Sequence, residues 1–342
     1  MPKVVVAFDK FRGSSTAADM VGGVSGGLTR AGHVVVGVPL ADGGEGSLEV
    51  LGGPNKFVAV SDPLGRPVEA GYRLDGRDAF IEMSTASGLA LVGGAAGNDP
   101  VAADTFGTGQ LIAHAIELGA RRIHVLLGGS ATTDGGWGAL AAMPPAARLK
   151  EIELTIGCDV RTLFTESAVV FGPQKGASSA QVELLTRRLE RLVQVYRDTY
   201  GRDVSSVAGG GAAGGLAGGL VAVGGRIESG FDVLAELVGL DEMLRDADLV
   251  ITGEGLLDGE SFNGKVVGGV ASWAAEFDVP VLAIVGAIDA DGCSPEGLVG
   301  TSGATRCQGI DVVSLTDRFG LAASLARPVE LATEVALAYL AG

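Results

Sequence analysis

Hydroxyl, carboxylate and glycine residues crowd into one run of this chain, VLLGGSATTDGG at 125–136. Ser130, Thr132 and Thr133 offer hydroxyl donors, while Gly128 and Gly129 permit positive φ angles and the close approach of an anion. Asp134 adds a carboxylate where a metal ion riding on phosphates would sit. The apolar run RRIHVLL at 121–127 precedes the loop, and WGALAAM at 137–143 has helical composition. A strand, a glycine-rich turn and a helix start point backbone N–H groups into one concavity, a geometry suited to phosphate. The plainer reading is a tight strand–helix connection, common in α/β proteins.

Other polar groups follow apolar runs. Asp9, Lys10 and Arg12 come directly after KVVVAF at 3–8, where open α/β sheets place their ligands. Asp42 and Glu45 stand three apart among glycines in ADGGEG at 41–46, so both carboxylates can face one ligand, a solvated turn being the alternative. Asp159 lies at the end of the apolar run LTIGCDV at 154–160, and Lys175 stands alone among small residues in FGPQKGA at 171–177. The run DLVITGEG at 248–255 leads through Glu254 to Asp258 and then to GESFNGKV at 259–266. This last run has the G-x-x-x-x-G-K spacing of a P-loop. Val266, however, stands where Ser or Thr would ligate magnesium, and the run lies far past the strand end, so a Walker site is not expected. Lys265 remains a candidate phosphate contact. Gly209, Gly211 and Gly214 spell G-x-G-x-x-G, the fingerprint of a dinucleotide-dependent dehydrogenase, but VSSV at 204–207 makes a poor strand before them.

The elements that must position these groups alternate between strand and helix at both ends of the chain. Short runs from 57 to 83, broken by Asp62, Pro63, Gly65, Pro67, Asp75 and Gly76, read instead as antiparallel hairpins. Ser178 and Gln181 form a capping box ahead of a helix whose apolar stripe is Val182, Leu185, Leu189, Leu192, Val193 and Tyr196. An α/β protein with two α/β domains is expected. Residues 1–55 and 240–342 form a Rossmann-like parallel-sheet lobe from both termini, and residues 56–239 an inserted mixed α/β domain. A cleft between such lobes is the usual place for substrate.

At 342 residues the chain exceeds one compact core, and 47% hydrophobic with 19% charged residues excludes disorder. Glycine, at 56 residues without a Gly-X-Y period, must sit in turns and loops. A net charge of −16 argues against a nucleic-acid or membrane-surface partner, and leaves any phosphate to local dipoles, a few cations or a divalent metal. Cys158, Cys293 and Cys307 have no metal-ligand spacing, and such a sparse, odd set fits a reducing cytosol. The opening residues lack a signal-peptide pattern. The uncharged stretch 204–225 is rich in glycine and reads as a loop and helix, not a membrane span.

Taken together, the blocks ADGGEG at 41–46, IEMSTASGL at 81–89, FGTGQLI at 106–112, GGSATTDGG at 128–136, FGPQKGA at 171–177, GAAGGL at 211–216 and DLVITGEGLLDGESFNGK at 248–265 resemble the bacterial glycerate kinases of the glucarate and glyoxylate degradation type. The turn at 9–14 and Cys158-Asp159-Val160 extend the resemblance essentially end to end. It implies two α/β domains and ATP- and Mg²⁺-dependent phosphorylation of a hydroxyl of D-glycerate, with 2-phosphoglycerate the favoured product. The cysteine usage adds the expectation of a cytoplasmic protein, monomer or homo-oligomer. In that frame Asp159 is the first candidate for the catalytic base and Asp42 the second. Residues 128–133, with Gly128, Gly129, Ser130, Thr132, Thr133 and Lys265, would hold the ATP phosphates. Asp9, Lys10, Arg12, Glu45 and Lys175 would bind substrate, and Asp134, Glu254 and Asp258 the metal. The stretch from Gly138 to Cys158 is shorter than usual for such kinases, Arg161-Thr162-Leu163-Phe164 replaces the common Asn-Pro-Leu, and Lys10 and Arg12 stand where Ser and Lys are frequent. The short stretch motivates a rival reading, a nucleotide- or sugar-acid-binding sensor or scaffold without turnover.

Overall fold

In the valine-rich strand Lys3–Phe8, alternate side chains enter two different cores. Val4, Val6 and Phe8 pack with Met20, Val24 and Leu28 of the helix Ala17–Arg30 and with Leu331 and Val335 of the helix Pro328–Ala341. Val5 and Ala7 pack with Phe231, Leu240, Val266 and Val270 on the opposite face. A strand buried on both faces belongs inside a parallel sheet covered by helices. Its parallel neighbours are Val34–Pro39 on one side and Leu249–Gly253 on the other. Beyond Leu249–Gly253, the strands Val281–Val285 and Ile310–Ser314 continue in parallel. Ala304–Cys307 and Gly297–Val299 close that edge antiparallel. The chain therefore builds outward in two directions from the junction of Lys3–Phe8 with Leu249–Gly253.

This computed structural model describes residues 2–262, 264–289, 292–293, 297–299 and 304–341. Two units result, one from Met1–Asp42 with Phe231–Gly342 and the other Gly43–Gly230. In the second unit the strands keep chain order across one sheet: Lys56–Ser61, Pro67–Asp75, Asp78–Glu82, Arg122–Leu126, Glu153–Gly157 and Arg226–Glu228. The first three pair antiparallel, as the hairpin signals predict, and the remainder parallel. The capping-box helix forms as Ser179–Tyr200, with Ser178 and Gln181 bonded reciprocally.

The unit boundaries fall at 42/43 and 230/231, not at the expected 55/56 and 239/240. Two contacts explain the shift. The Leu48 N–H donates to Glu82 Oε1 at 2.6 Å, which ties the helix Ser47–Val50 to the second unit. Phe231, Ala235 and Leu240 are buried in the core of the first. Cys293 and Cys307 are joined as a disulfide, their Cα atoms 5.8 Å apart, so cysteine spacing carries no argument for a reducing compartment. Cys158 is free and buried, and burial pushes its thiol up to about 11. Among the described residues no helix is long and apolar enough to cross a membrane.

Backbone crowding fixes the end of the Leu249–Gly253 strand. A Cβ on Gly253 would lie 1.8 Å from the Ile284 carbonyl oxygen of the next strand. Gly253→Ala is expected to cost about 2–3 kcal/mol, the scale of overpacking in a filled core. Urea unfolding checks this, and an unchanged midpoint would contradict it.

Candidate active site

The loop after the strand Arg122–Leu126 divides into an open front and a sealed back. Gly128 and Ser130 are half-buried and Gly129 is exposed. The Gly129 carbonyl accepts the Leu89 N–H at 2.8 Å, and the Ala131 N–H donates to the Ser87 carbonyl at 3.0 Å. Among the described residues, the N–H groups of Gly128, Gly129 and Ser130 have no hydrogen-bond acceptor. Beside them runs the turn carrying Glu45, since a Cβ on Gly128 would meet the Gly44 Cα at 2.7 Å. Glu45 itself is exposed.

Residues 131–136 are buried. Asp134, only 5% exposed, accepts the Thr105 N–H at 2.9 Å and hydroxyl at 2.8 Å. Its carboxylate also takes the N–H groups of Gly136 at 3.1 Å and Gly138 at 3.0 Å. The anion at the start of the helix Trp137–Ala142 is thus the protein's own carboxylate. This corrects two expectations: that helix start is not left for a phosphate, and Asp134 is committed to N–H and hydroxyl donors rather than to a metal. Thr132 and Thr133 are fully buried, and their hydroxyls have no partner among the described residues, so neither lies on the loop's accessible edge.

Lys175 is 2% exposed, and its Nζ donates to the Thr132 carbonyl at 2.7 Å. Burial draws its pKa down to about 7, against the pull of Asp134. The Asn98 amide donates to the Ala131 carbonyl at 3.0 Å and the Lys175 carbonyl at 2.9 Å. Lys175 therefore grips the loop backbone from inside and is not a solvent-facing substrate cation. Gly214 (φ +72°) supports the same backbone: a Cβ there would lie 1.9 Å from the Thr132 carbonyl oxygen. No strand precedes the run at 209–214, so its glycines serve close packing and not a dinucleotide fingerprint. Asp159 is half-buried and accepts the Gly230 N–H at 2.9 Å and the Ser229 hydroxyl at 3.3 Å. That places its carboxylate at the start of the helix Gly230–Leu237, in a capping position.

The other expected residues gather in the first unit. Asp9 and Glu254 immediately follow the paired strand ends Phe8 and Gly253, and the Asp9 N–H donates to the Gly253 carbonyl at 3.0 Å. Burial raises the Asp9 pKa to about 6, reinforced by Asp42 and opposed by the Lys10 N–H and the charges of Lys10 and Arg12. Burial raises Glu254 to about 7, reinforced by Asp9 and Asp258 and opposed by Ser261 and Lys265. Lys265 binds both Asp258 oxygens, at 3.1 and 3.0 Å. Burial opposes the Asp258 charge, but Lys265, the Glu260 N–H and the Ser261 hydroxyl together hold that carboxyl below its ordinary value. Lys265 is thus ion-paired before any phosphate arrives. Among the described residues no group of three or more His, Cys, Asp or Glu is placed to hold a metal ion, so Asp134, Glu254 and Asp258 form no protein cage for one. Sequence reasoning missed Asn98 and Thr105, whose partners Ala131 and Asp134 reach them only through folding, and Ser261, which bonds Asp258.

Two α/β units with glycine-rich loops and strand-end charges define the class, and the comparisons identify the family. A model of the glycerate kinase family matches residues 4–146 and 144–308. A protein of Escherichia coli (strain K12) described as glycerate 2-kinase is 35% identical over 329 residues, covering 84% of this chain and 86% of that one. A Halalkalibacterium halodurans glycerate kinase is 36% identical over 330 residues, with 84% and 86% covered. A crystal structure from Salmonella typhimurium LT2, provisionally assigned as glycerate kinase 2, superposes with a TM-score of 0.82 at 33% identity, over 100% of this chain and 99% of that one. The protein is a kinase, a phosphotransferase acting on an alcohol group. It belongs to the glycerate kinase family. The two matched segments meet at 144–146, inside the short stretch between Gly138 and Cys158. Despite that short connection, Glu153–Gly157 keeps its parallel register with Arg122–Leu126.

The Asp134 geometry predicts that Asp134→Asn lowers stability by about 3 kcal/mol, because buried donors lose a charged acceptor. Calorimetry checks this; a metal ligand would instead leave the melting temperature unchanged. Lys175 gives a pH test. Its folded pKa, about 7, lies below its ordinary 10.5, so between those values the unfolded chain holds the extra proton. The cost of burying Lys175 is full below pH 7 and fades as pH rises toward 10.5. Stability of the parent should therefore rise more steeply with pH across that window than stability of Lys175→Met. Equal slopes in urea titrations would contradict this.

Proposed function

We propose that this protein transfers the γ-phosphoryl group of ATP to the 2-hydroxyl of D-glycerate. Similarity over 84% of the chain to the E. coli protein described as glycerate 2-kinase carries the reading. The unengaged N–H groups of Gly128, Gly129 and Ser130 support it, as donors for nucleotide phosphate oxygens. Phosphoryl transfer asks a protein mainly for positioning and charge neutralisation, and the sealed back of the loop supplies a rigid mount for those donors. Lys10 and Arg12, half-buried and exposed respectively, are the cations we assign to the glycerate carboxylate. Mg²⁺ would arrive on the ATP phosphates and neutralise their charge; no residue here is assigned to it.

The test is the product. Mg-ATP and D-glycerate should yield ADP and one phosphoglycerate, identified by ³¹P NMR as the 2-isomer. A 3-phospho product would keep the kinase and overturn the position. Absence of glycerate-stimulated ADP release would overturn the reading.

A further inference from the structure

The sheet of the first unit reverses its direction of growth where Lys3–Phe8 meets Leu249–Gly253. In open parallel sheets the crevice beyond the carboxyl ends at such a reversal is where ligands bind. Two carboxylates occupy this one. Asp9 and Glu254 follow directly on the paired residues Phe8 and Gly253. The backbone around Glu254 is fixed from both sides: the Asp9 N–H donates to the Gly253 carbonyl at 3.0 Å, and the Gly286 N–H to the Glu254 carbonyl at 3.0 Å. The Glu254 side chain is 6% exposed, yet its Oε1 has no hydrogen-bond partner among the described residues. A buried carboxylate oxygen without a donor costs free energy unless a ligand or proton satisfies it. Of the two carboxylates first considered for the base, Asp159 caps a helix and Asp42 stands near Asp9, whose charge it opposes.

We infer that Glu254 is the proton acceptor for the attacking hydroxyl, with Asp9 and Ser261 as positioning residues that set its charge. The inference rests on the kinase reading above. The acceptor O–H proton passes to the Glu254 carboxylate, the hydroxyl oxygen forms its bond to the γ-phosphorus, and the β,γ-bridging bond breaks with its electron pair leaving on ADP. The proton is then released to solvent, and nothing is oxidised or reduced. The charged neighbours of Glu254 are Lys265, which favours its ionised form, and Asp9 and Asp258, which oppose it; Ser261 also favours the ionised form. Their balance leaves Glu254 titrating at about 7, so it accepts a proton above that pH and not below.

The experiment measures ADP release from Mg-ATP and D-glycerate as a function of pH, on the full chain and on Glu254→Gln, Asp9→Asn and Ser261→Ala. Glu254→Gln should lose on the order of 10²-fold or more in kcat, with KM for ATP little changed. In the parent, kcat/KM for glycerate should rise through an acid limb near 7. Asp9→Asn removes a negative neighbour and should move that limb to lower pH, whereas Ser261→Ala should move it to higher pH. These opposite shifts are a readout that a merely structural role would not produce, and they decide the matter even if Glu254→Gln fails to fold. A parent that turns over while Glu254→Gln keeps kcat within threefold overturns the inference alone, as does a limb that neither neighbour moves. A parent without glycerate-stimulated turnover overturns the kinase reading and this inference together.

Discussion

The Asp134 carboxylate gathers the Thr105 N–H and hydroxyl with the N–H groups of Gly136 and Gly138. Removing any of these donors from water without an acceptor would be expensive, so the burial of residues 131–136 depends on that one charge. With the back of the loop locked there, and its carbonyls at 131 and 132 held by Asn98 and Lys175, the front at Gly128, Gly129 and Ser130 has little freedom left. A loop mounted in this way has its backbone donors set before a ligand arrives, which spares the ordering cost at the moment of binding.

Each unit carries a polar cluster, and the two are built on different principles. In the Gly43–Gly230 unit, glycine-rich backbone offers donors, and buried charge serves architecture. In the unit containing both termini, charged side chains themselves stand at strand ends, and burial moves Asp9 and Glu254 toward neutrality. Perturbed carboxylates at a sheet reversal are the more usual mark of a reacting site. Net charge of −16 makes the long-range field unfavourable to a nucleotide, so local donors must supply the attraction.

Much of the architecture could be read from periodicity. The apolar run Lys3–Phe8, the broken hairpin runs and the Ser178–Gln181 capping box each depend on neighbours close in sequence. What escaped depends on partners brought together by folding. Thr105 and Asp134 lie 29 residues apart, and Asn98 and Lys175 lie 77 apart. Residue type and the family resemblance together suggested that Asp134 ligates a metal and that Lys175 meets substrate, because both carry charge within glycine-rich runs. Burial reversed both readings, since a charge sealed among backbone donors or acceptors is spent there. The glycines at 209–214 show the same limit: their spacing matched a fingerprint, whereas their cause is the approach of Gly214 to the Thr132 carbonyl.

In the proposed kinase the open front of the loop, at Gly128, Gly129 and Ser130, holds nucleotide phosphates through its backbone. Backbone amide NMR during a titration with Mg-ATP tests it most directly. Saturable downfield shifts of the Gly128, Gly129 and Ser130 amide protons are expected, as for N–H groups gaining anionic acceptors. Nucleotide binding, seen by calorimetry, that leaves those three signals in place would contradict it.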